Sequence, residues 1–261
     1  MSAQLDPIVD TAIFVYTNPF MKWMIPFRIT TALFGVVVIS IMMYHWKKFV
    51  AHFNLTFLLA IHVIFNLLSS LFVAIDDIYI LYQQLTWRTG EDLVLTGYDC
   101  YAWRAPPCVT LYGTMFSLII ISIERFIATM CYKNYEQCPK WLGAMFGLAQ
   151  ILIPFICTGI DTLDYSFSAR FSYCTIVSDE NFDVVMQIAY IFLVLEFLAL
   201  ITFHVALFVN WRRRKNRATM DPTGRYQITE NFRTCHFLII LGSAAVFFLY
   251  NSFNPTFDPR I

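Results

Sequence analysis

Two oppositely charged residues stand side by side at the end of a long apolar run. Glu124 and Arg125 lie in the stretch SIERFIAT (residues 122–129), which closes the run that begins at Cys108. A carboxylate and a guanidinium in this position could form a solvated helix end, a catalytic dyad, or a switch that another protein recognises. The choice among these three depends on the elements that position the pair.

Three further polar side chains, those of Tyr112, Gln150 and Glu196, lie inside apolar stretches. An ionisable group such as Glu196 at the centre of a membrane is costly unless it is paired, protonated or hydrated. Such residues either line a ligand pocket or hydrogen-bond a neighbouring helix for structural reasons alone. Both interpretations stay open at this point.

The sequence lacks the motifs of common enzyme classes. It contains no GxSxG, no HExxH and no glycine-rich phosphate loop. Asp161 and Asp164 could form a carboxylate dyad, but no cluster of His or further acids stands near them, which favours a solvated loop. No two cysteines have CxxC spacing. We therefore expect a non-enzyme without a cofactor or a metal site.

The composition indicates the class of protein. Of the 261 residues, 58% are hydrophobic and only 14% are charged, whereas soluble domains carry about 25% charged residues. A helix needs roughly 20 apolar residues to cross a hydrocarbon layer of about 30 Å. Six stretches meet this requirement: residues 24–44, 55–75, 106–123, 141–160, 184–209 and 235–253. The sequence thus predicts an all-α membrane protein, a single bundle of six transmembrane helices over residues 1–261.

The distribution of basic residues predicts the orientation of this bundle. Twelve of the eighteen Lys and Arg follow the first, third or fifth predicted span: Lys47, Lys48, Arg125, Lys133, Lys140, Arg212, Arg213, Arg214, Lys215, Arg217, Arg225 and Arg233. Acidic residues concentrate in 76–104 and 161–183 instead. Because short loops rich in Lys and Arg stay cytoplasmic, we expect an outer N-terminus and a cytoplasmic Glu124–Arg125 pair.

The stretch WRRRKNR (residues 211–217) is the densest basic segment of the chain. Arg212, Arg213, Arg214, Lys215 and Arg217 could form a nucleic-acid patch or a lipid-binding segment. Directly after a span, a membrane anchor is the better interpretation. The same residues can present a basic surface to an acidic cytosolic partner, and we expect no nucleic acid.

Three of the seven cysteines, Cys100, Cys108 and Cys174, fall on the predicted outer side, where disulfides persist. A bridge from Cys174 to the top of the third span would hold the 161–183 loop over the bundle. Cys100 is the preferred partner, and Cys108 is the alternative. Cys108 follows Pro106 and Pro107, which suit the start of a helix, so we expect it in a first helical turn.

Four segments resemble the nematode serpentine chemoreceptors of the Sra superfamily, most closely the Srab branch, with Sra, Srb and Sre as alternatives. LIIISIERFIATMCYKNYE (118–136) is similar to the end of their third span, and GRYQITEN (224–231) to the stretch before their sixth. Residues 53–79 and 98–106 resemble their second span and the entry to the third. The similarity runs from about residue 24 to residue 250.

This resemblance implies a rhodopsin-like receptor that couples to a heterotrimeric G protein in sensory neurons. Glu124 and Arg125 would match the acidic–Arg pair that acts as the coupling switch, with Arg125 held by Glu124 or by a group of the sixth span until activation. Cys100 would match the cysteine that bridges to the second outer loop. The expected location is the plasma membrane or the sensory cilium.

The resemblance implies seven spans, whereas the sequence provides six and ends at Ile261. We therefore expect either a receptor shortened before its seventh span or a non-signalling truncated isoform that acts as a partner or dominant-negative subunit of full-length receptors. Retention in the endoplasmic reticulum is the expected fate of a truncated form. An aromatic interior with few charges suits a small neutral or apolar ligand.

Overall fold

The computed structural model describes residues 6–44, 52–132, 135, 139–163, 165–174, 181–215, 228–236 and 238. A short helix, α1 (Pro7–Thr17), precedes the long helices α2 (Pro19–Tyr44), α3 (Phe53–Thr86), α4 (Gly97–Met130), α5 (Lys140–Asp161) and α6 (Phe182–Lys215). Within the described part of the chain, these five long helices are apolar enough to cross a membrane. The all-α membrane fold predicted from the composition is confirmed.

The sixth predicted span, residues 235–253, lies almost wholly outside the described residues. Residues 228–236, which lead into it, are helical. The other predicted spans each fall inside a helix, and most of these helices continue further than the apolar stretch that predicted them.

Side chains at both ends define α1, a helix that lies before the first predicted span. The Asp6 carboxylate accepts a hydrogen bond from the Ile8 N–H, 3.1 Å away, and Pro7 occupies the first helical position. Both features are typical of helix starts. At the other end, the Asn18 Oδ1 accepts the Phe20 N–H at 2.9 Å, so one residue ends α1 and begins α2.

The start of α4 differs from the expectation based on its prolines. The helix begins at Gly97, so Pro106, Pro107 and Cys108 lie inside it. The Gly97 N–H donates to the Ala169 carbonyl at 2.8 Å, next to a short antiparallel pair of strands, β1 (Leu95–Thr96) and β2 (Arg170–Phe171). These contacts with a distant loop stabilise the extra helical turns.

Contacts divide the described chain into two units. The first is drawn from residues 1–49, 63–114 and 153–186, and the second from residues 50–62, 115–152 and 187–261. The core of the first unit consists of Ala12, Tyr16, Ile25, Ile80 and Leu93. The core of the second consists of Leu55, Leu58, Ile120, Ile121, Phe203, Ala206, Cys235 and Leu238.

The first unit contains the predicted disulfide. Cys100, in α4, is bonded to Cys174, with their Cα atoms 5.2 Å apart, and Cys108 is free. The preferred pairing is therefore confirmed. Both bridged residues are buried. The disulfide attaches the loop over residues 165–174 to the first turns of α4.

Asp161 corrects the interpretation of the DTLD stretch as a solvated loop. It is the last residue of α5 and is fully buried. Its carboxylate accepts a hydrogen bond from the Tyr112 hydroxyl at 2.6 Å, and its carbonyl accepts one from the Asn181 side chain at 2.6 Å. The Tyr112 hydroxyl offsets part of the desolvation cost of this buried carboxylate. Asp164 lies outside the described residues.

Candidate functional site

The Glu124–Arg125 pair lies in the last two turns of α4, in the second unit. Arg125 is fully buried and Glu124 is 3% exposed, so the solvated helix end is excluded. The Arg125 guanidinium donates two hydrogen bonds to the Glu124 carboxylate, from Nε at 2.6 Å and from Nη2 at 2.7 Å. Adjacent residues of a helix normally point in different directions, so both side chains turn toward each other to make this two-pronged ion pair.

Two further segments complete the shell around the guanidinium. Asn231, in the helical residues 228–236, accepts a hydrogen bond from Nη1 of Arg125 at 2.7 Å. Tyr135, from the connection between α4 and α5, accepts one from Nη2 at 3.2 Å and donates its own hydroxyl hydrogen to Glu124. All three guanidinium nitrogens are thus engaged, and we call Glu124, Arg125, Tyr135 and Asn231 the arginine lock.

The energetics of the arginine lock favour a closed arrangement. A buried ion pair gains little net free energy when complete, but removal of one partner costs about 3–5 kcal/mol because a charge is left uncompensated. Hydrogen bonds to a charged group contribute about 1.5–3 kcal/mol. We therefore expect Arg125 to keep its two contacts to Glu124, whereas its contacts to the neutral partners Asn231 and Tyr135 can open at moderate cost.

A second contact joins the 228–236 helix to the start of α3. Glu230 Oε1 accepts a hydrogen bond from the His52 backbone N–H at 3.2 Å. The His52 ring lies 4.6 Å from the ring of Tyr135, centroid to centroid. Burial raises the pKa of the Glu230 carboxyl above its ordinary value. The arginine lock and Glu230 thus hold the same short helix through adjacent residues.

The three polar residues predicted inside the apolar stretches do not belong to one unit. Tyr112 lies in the first unit, and Gln150 and Glu196 lie in the second. Tyr112 donates to Asp161, and the Gln150 side-chain amide donates to the Ser117 carbonyl at 3.4 Å. Glu196 is 2% exposed, and among the described residues neither carboxylate oxygen has a hydrogen-bond partner.

The basic segment begins inside α6, which continues through Lys215. Arg212, Arg214 and Lys215 are exposed, whereas Arg213 is half-buried. Lys215 Nζ lies 3.8 Å above the Trp211 ring, and the Arg214 guanidinium lies 5.4 Å from the ring of Phe232. Arg217 lies outside the described residues.

Sequence reasoning missed two ion pairs with buried carboxylates in the first unit. The Arg28 Nε lies 3.2 Å from Asp77 Oδ2, and the Arg104 Nη1 lies 2.6 Å from Asp76 Oδ2. Arg104 also donates to the Cys174 carbonyl at 3.0 Å. Asp76 and Asp77 were expected in an outer loop, but α3 extends to Thr86 and buries both. The available signal was Arg28, since an arginine inside a predicted span requires a partner.

Comparison with known proteins agrees with this architecture. Residues 11–257 match the family of serpentine type seven-transmembrane receptors, class ab chemoreceptor. The chain is 28% identical to serpentine receptor class alpha/beta-14 of Caenorhabditis elegans over 85% of its length, and 25% identical to serpentine receptor class beta-16 of the same organism over 80%. The aligned region spans 59% of the first relative and 64% of the second. This multi-pass membrane chain belongs to the class ab serpentine chemoreceptor family.

Proposed function

We propose that this chain is a chemosensory receptor in which a small molecule opens the arginine lock and a heterotrimeric G protein then binds Arg125. The observation that carries the proposal is the complete burial of Arg125 with all three guanidinium nitrogens engaged. A partner protein cannot contact this side chain until one of the surrounding segments moves. The lock is thus an element with two arrangements, and a ligand that favours the open one shifts the equilibrium toward it.

Asn231 is the contact that we expect to break. It belongs to the helical residues 228–236, which can move relative to α4, whereas Glu124 lies on α4 itself and moves with Arg125. Movement of the 228–236 helix away from α4 would free one edge of the guanidinium and leave the ion pair with Glu124 intact. The freed N–H groups of Arg125 would then suit a carbonyl or carboxylate of the G protein.

Gln150 and Glu196 are the groups that we propose for ligand recognition. Within the part of the chain that the structure describes, each has a buried side-chain oxygen that accepts no hydrogen bond. A hydroxyl or amide N–H of a small, otherwise apolar molecule would satisfy such an oxygen. We do not include Tyr112 among these groups, because its hydroxyl already donates a hydrogen bond to Asp161. Its place in a ligand pocket stays a prediction from the sequence.

The exposed basic residues Arg212, Arg214 and Lys215 would attract an acidic surface of the G protein. We place the receptor in the plasma membrane or cilium of a sensory neuron, as the resemblance implies.

The proposal is tested by Arg125→Lys, which keeps the charge and removes the two-pronged geometry. We expect ligand-independent and ligand-dependent nucleotide exchange on a co-expressed G protein to fall more than about tenfold, because a single ammonium replaces interactions of this strength. Surface labelling should stay within twofold of wild type. Arg233→Lys, the same change at an exposed position outside the basic surface, is the matched control and should leave exchange unchanged. Wild-type coupling in Arg125→Lys would overturn the proposal.

A further inference from the structure

One member of the basic segment is turned inward. The Arg213 Nη1 donates to the Thr129 carbonyl in the last turn of α4, and its guanidinium lies 4.5 Å from the centre of the Tyr132 ring. Its neighbours Arg212 and Arg214 are exposed. Identical residue types on successive positions of α6 therefore have different environments, and among the described basic residues of this segment Arg213 is the one that contacts α4.

The Thr129 carbonyl needs such a donor. The last four carbonyls of a helix have no partner within that helix, and the last turn of α4 contains no basic residue of its own. Thr129 is fully buried, so water cannot easily take this role. Arg213 provides from α6 the cation that helix C-termini favour.

Asn210 makes a second connection one turn earlier on α6. Its side-chain amide donates to the Thr129 hydroxyl at 3.0 Å, and that hydroxyl donates to the Arg125 carbonyl at 2.8 Å. Asn210 is itself fully buried and is anchored to its own helix by a hydrogen bond to the Ala206 carbonyl at 2.8 Å. A continuous chain of hydrogen bonds thus runs from α6 through Thr129 to the backbone of Arg125.

We propose that Asn210 and Arg213 form a latch on the end of α4 and are positioning residues for Arg125. The latch holds the last turns of α4, which include Arg125. It therefore sets the position from which the Arg125 guanidinium reaches Asn231. Loss of the latch frees the end of α4 and lets the guanidinium leave Asn231 without a ligand. The signalling part of this inference rests on the proposed function, whereas the structural part stands on the contacts alone.

The structural part is tested by hydrogen exchange of the expressed chain in detergent or nanodiscs, read on peptides over residues 125–132. Arg213→Gln should raise amide exchange there at least about tenfold, since the anchoring donor is lost. Arg212→Gln removes the same charge from the exposed neighbour and should leave exchange within about twofold of wild type. Arg213→Lys keeps a donor and should restore most of the protection. Equal effects of Arg212→Gln and Arg213→Gln would overturn the latch.

A second pair of variants covers the case in which Arg213→Gln does not fold. Thr129→Val removes the bridging hydroxyl at constant size and should raise exchange over residues 125–132, whereas Thr129→Ser keeps the hydroxyl and should not. If Thr129→Val is as protected as wild type, the hydrogen-bond chain through Thr129 has no positioning role.

The signalling part has its own readout. Ligand-independent nucleotide exchange on a co-expressed G protein should rise severalfold in Arg213→Gln, whereas Arg212→Gln, which removes a charge from the exposed basic surface, should not raise it. A looser α4 without this rise would leave the structural latch in place and overturn its signalling role. Failure of Arg125→Lys to change coupling would instead refute the proposed function itself, so the two failures are distinguishable.

Discussion

At the scale of single residues, Arg125 shows how a charge is kept inside an apolar protein. Its guanidinium binds a carboxylate on one side and neutral oxygens of Asn231 and Tyr135 on the others. The neutral partners add hydrogen bonds without adding a second charge that would have to be desolvated. They can therefore separate from Arg125 at lower cost than Glu124 can.

Asn231→Ala tests this difference. The variant removes one hydrogen bond to a charged group, worth about 1.5–3 kcal/mol, and should shift the lock toward its open arrangement. We expect ligand-independent nucleotide exchange to rise about tenfold, since about 1.4 kcal/mol corresponds to a factor of ten. Arg233→Ala, at an exposed position of the same helix, is the control. Unchanged exchange in Asn231→Ala would mean that this contact does not restrain Arg125.

Glu230 gives the 228–236 helix a pH dependence. Because burial raises the pKa of its carboxyl, the folded chain binds this proton more tightly than the unfolded chain, whose Glu pKa is about 4.3. The stability that Glu230 contributes is complete below about pH 4 and is lost as the pH rises through the raised pKa. Glu230→Gln should remove this loss. Thermal unfolding measured at several pH values checks it, and identical profiles for both proteins would contradict the assignment.

The pH dependence that Asp92 contributes to stability has the opposite sign, so Asp92 serves as a control for that measurement. Its carboxylate accepts the backbone N–H groups of Thr89 and Arg88, at 2.8 and 3.0 Å, and these bonds hold its pKa below the ordinary value. The stability that Asp92 contributes is present above about pH 4 and is lost as the pH falls. Asp92→Asn should therefore weaken the acid-induced loss.

At the scale of elements, the sequence predicted the existence of the long helices better than their ends. Apolar length alone predicted residues 141–160, and α5 covers Lys140–Asp161. The start of α4 was placed wrongly because Pro106 is typical of a first turn, while the disulfide and the β1–β2 contacts extend the helix back to Gly97. Such contacts join residues far apart in the chain, so no local pattern contains them.

The same limit applies to the candidate site. Glu124 and Arg125 could be predicted as a charged pair because they are adjacent at the end of an apolar run. Asn231 falls within a stretch that the sequence singled out, but its contact with Arg125 joins residues 106 positions apart. The inward orientation of Arg213 cannot be read from four consecutive basic residues, since it depends on the carbonyl that Thr129 presents.

Close packing between α3 and α4 can be tested at a glycine. A Cβ atom added to Gly113 would lie 2.5 Å from a ring carbon of Phe65, so Gly113→Ala should overpack the interface and destabilise the chain by about 1–3 kcal/mol. Gly159→Ala, in α5, meets nothing within 4 Å and should stabilise by roughly 0.5–1 kcal/mol through helix propensity. Thermal unfolding of both variants decides the matter, because the expected shifts have opposite signs. A shift in the same direction would be inconsistent with this packing.

At the scale of the whole molecule, the basic residues predict how the chain lies in the membrane. The first unit contains the disulfide and the ion pairs of Arg28 and Arg104. The second unit contains the arginine lock and the basic segment. The first unit contains the loops rich in acidic residues, and the second contains most of the Lys and Arg. The positive-inside tendency therefore predicts that the acidic loops of the first unit face outward.

Glycosylation mapping measures this orientation. Acceptor sites inserted into residues 85–95 and 165–175 should receive glycans in microsomes, because these loops are predicted to reach the lumen. A site inserted into residues 212–222 should stay unmodified. A glycan at 212–222 would reverse the predicted orientation and place the arginine lock on the outer side.

The pairing of Arg28 with Asp77 has a consequence for biosynthesis. An arginine inside a lone apolar helix is costly during insertion through the translocon, and α2 emerges from the ribosome before α3. The charge that compensates Arg28 is thus synthesised 49 residues later. It follows that α2 enters the lipid most favourably when it waits beside the translocon for α3, so that the two helices leave as a neutralised hairpin.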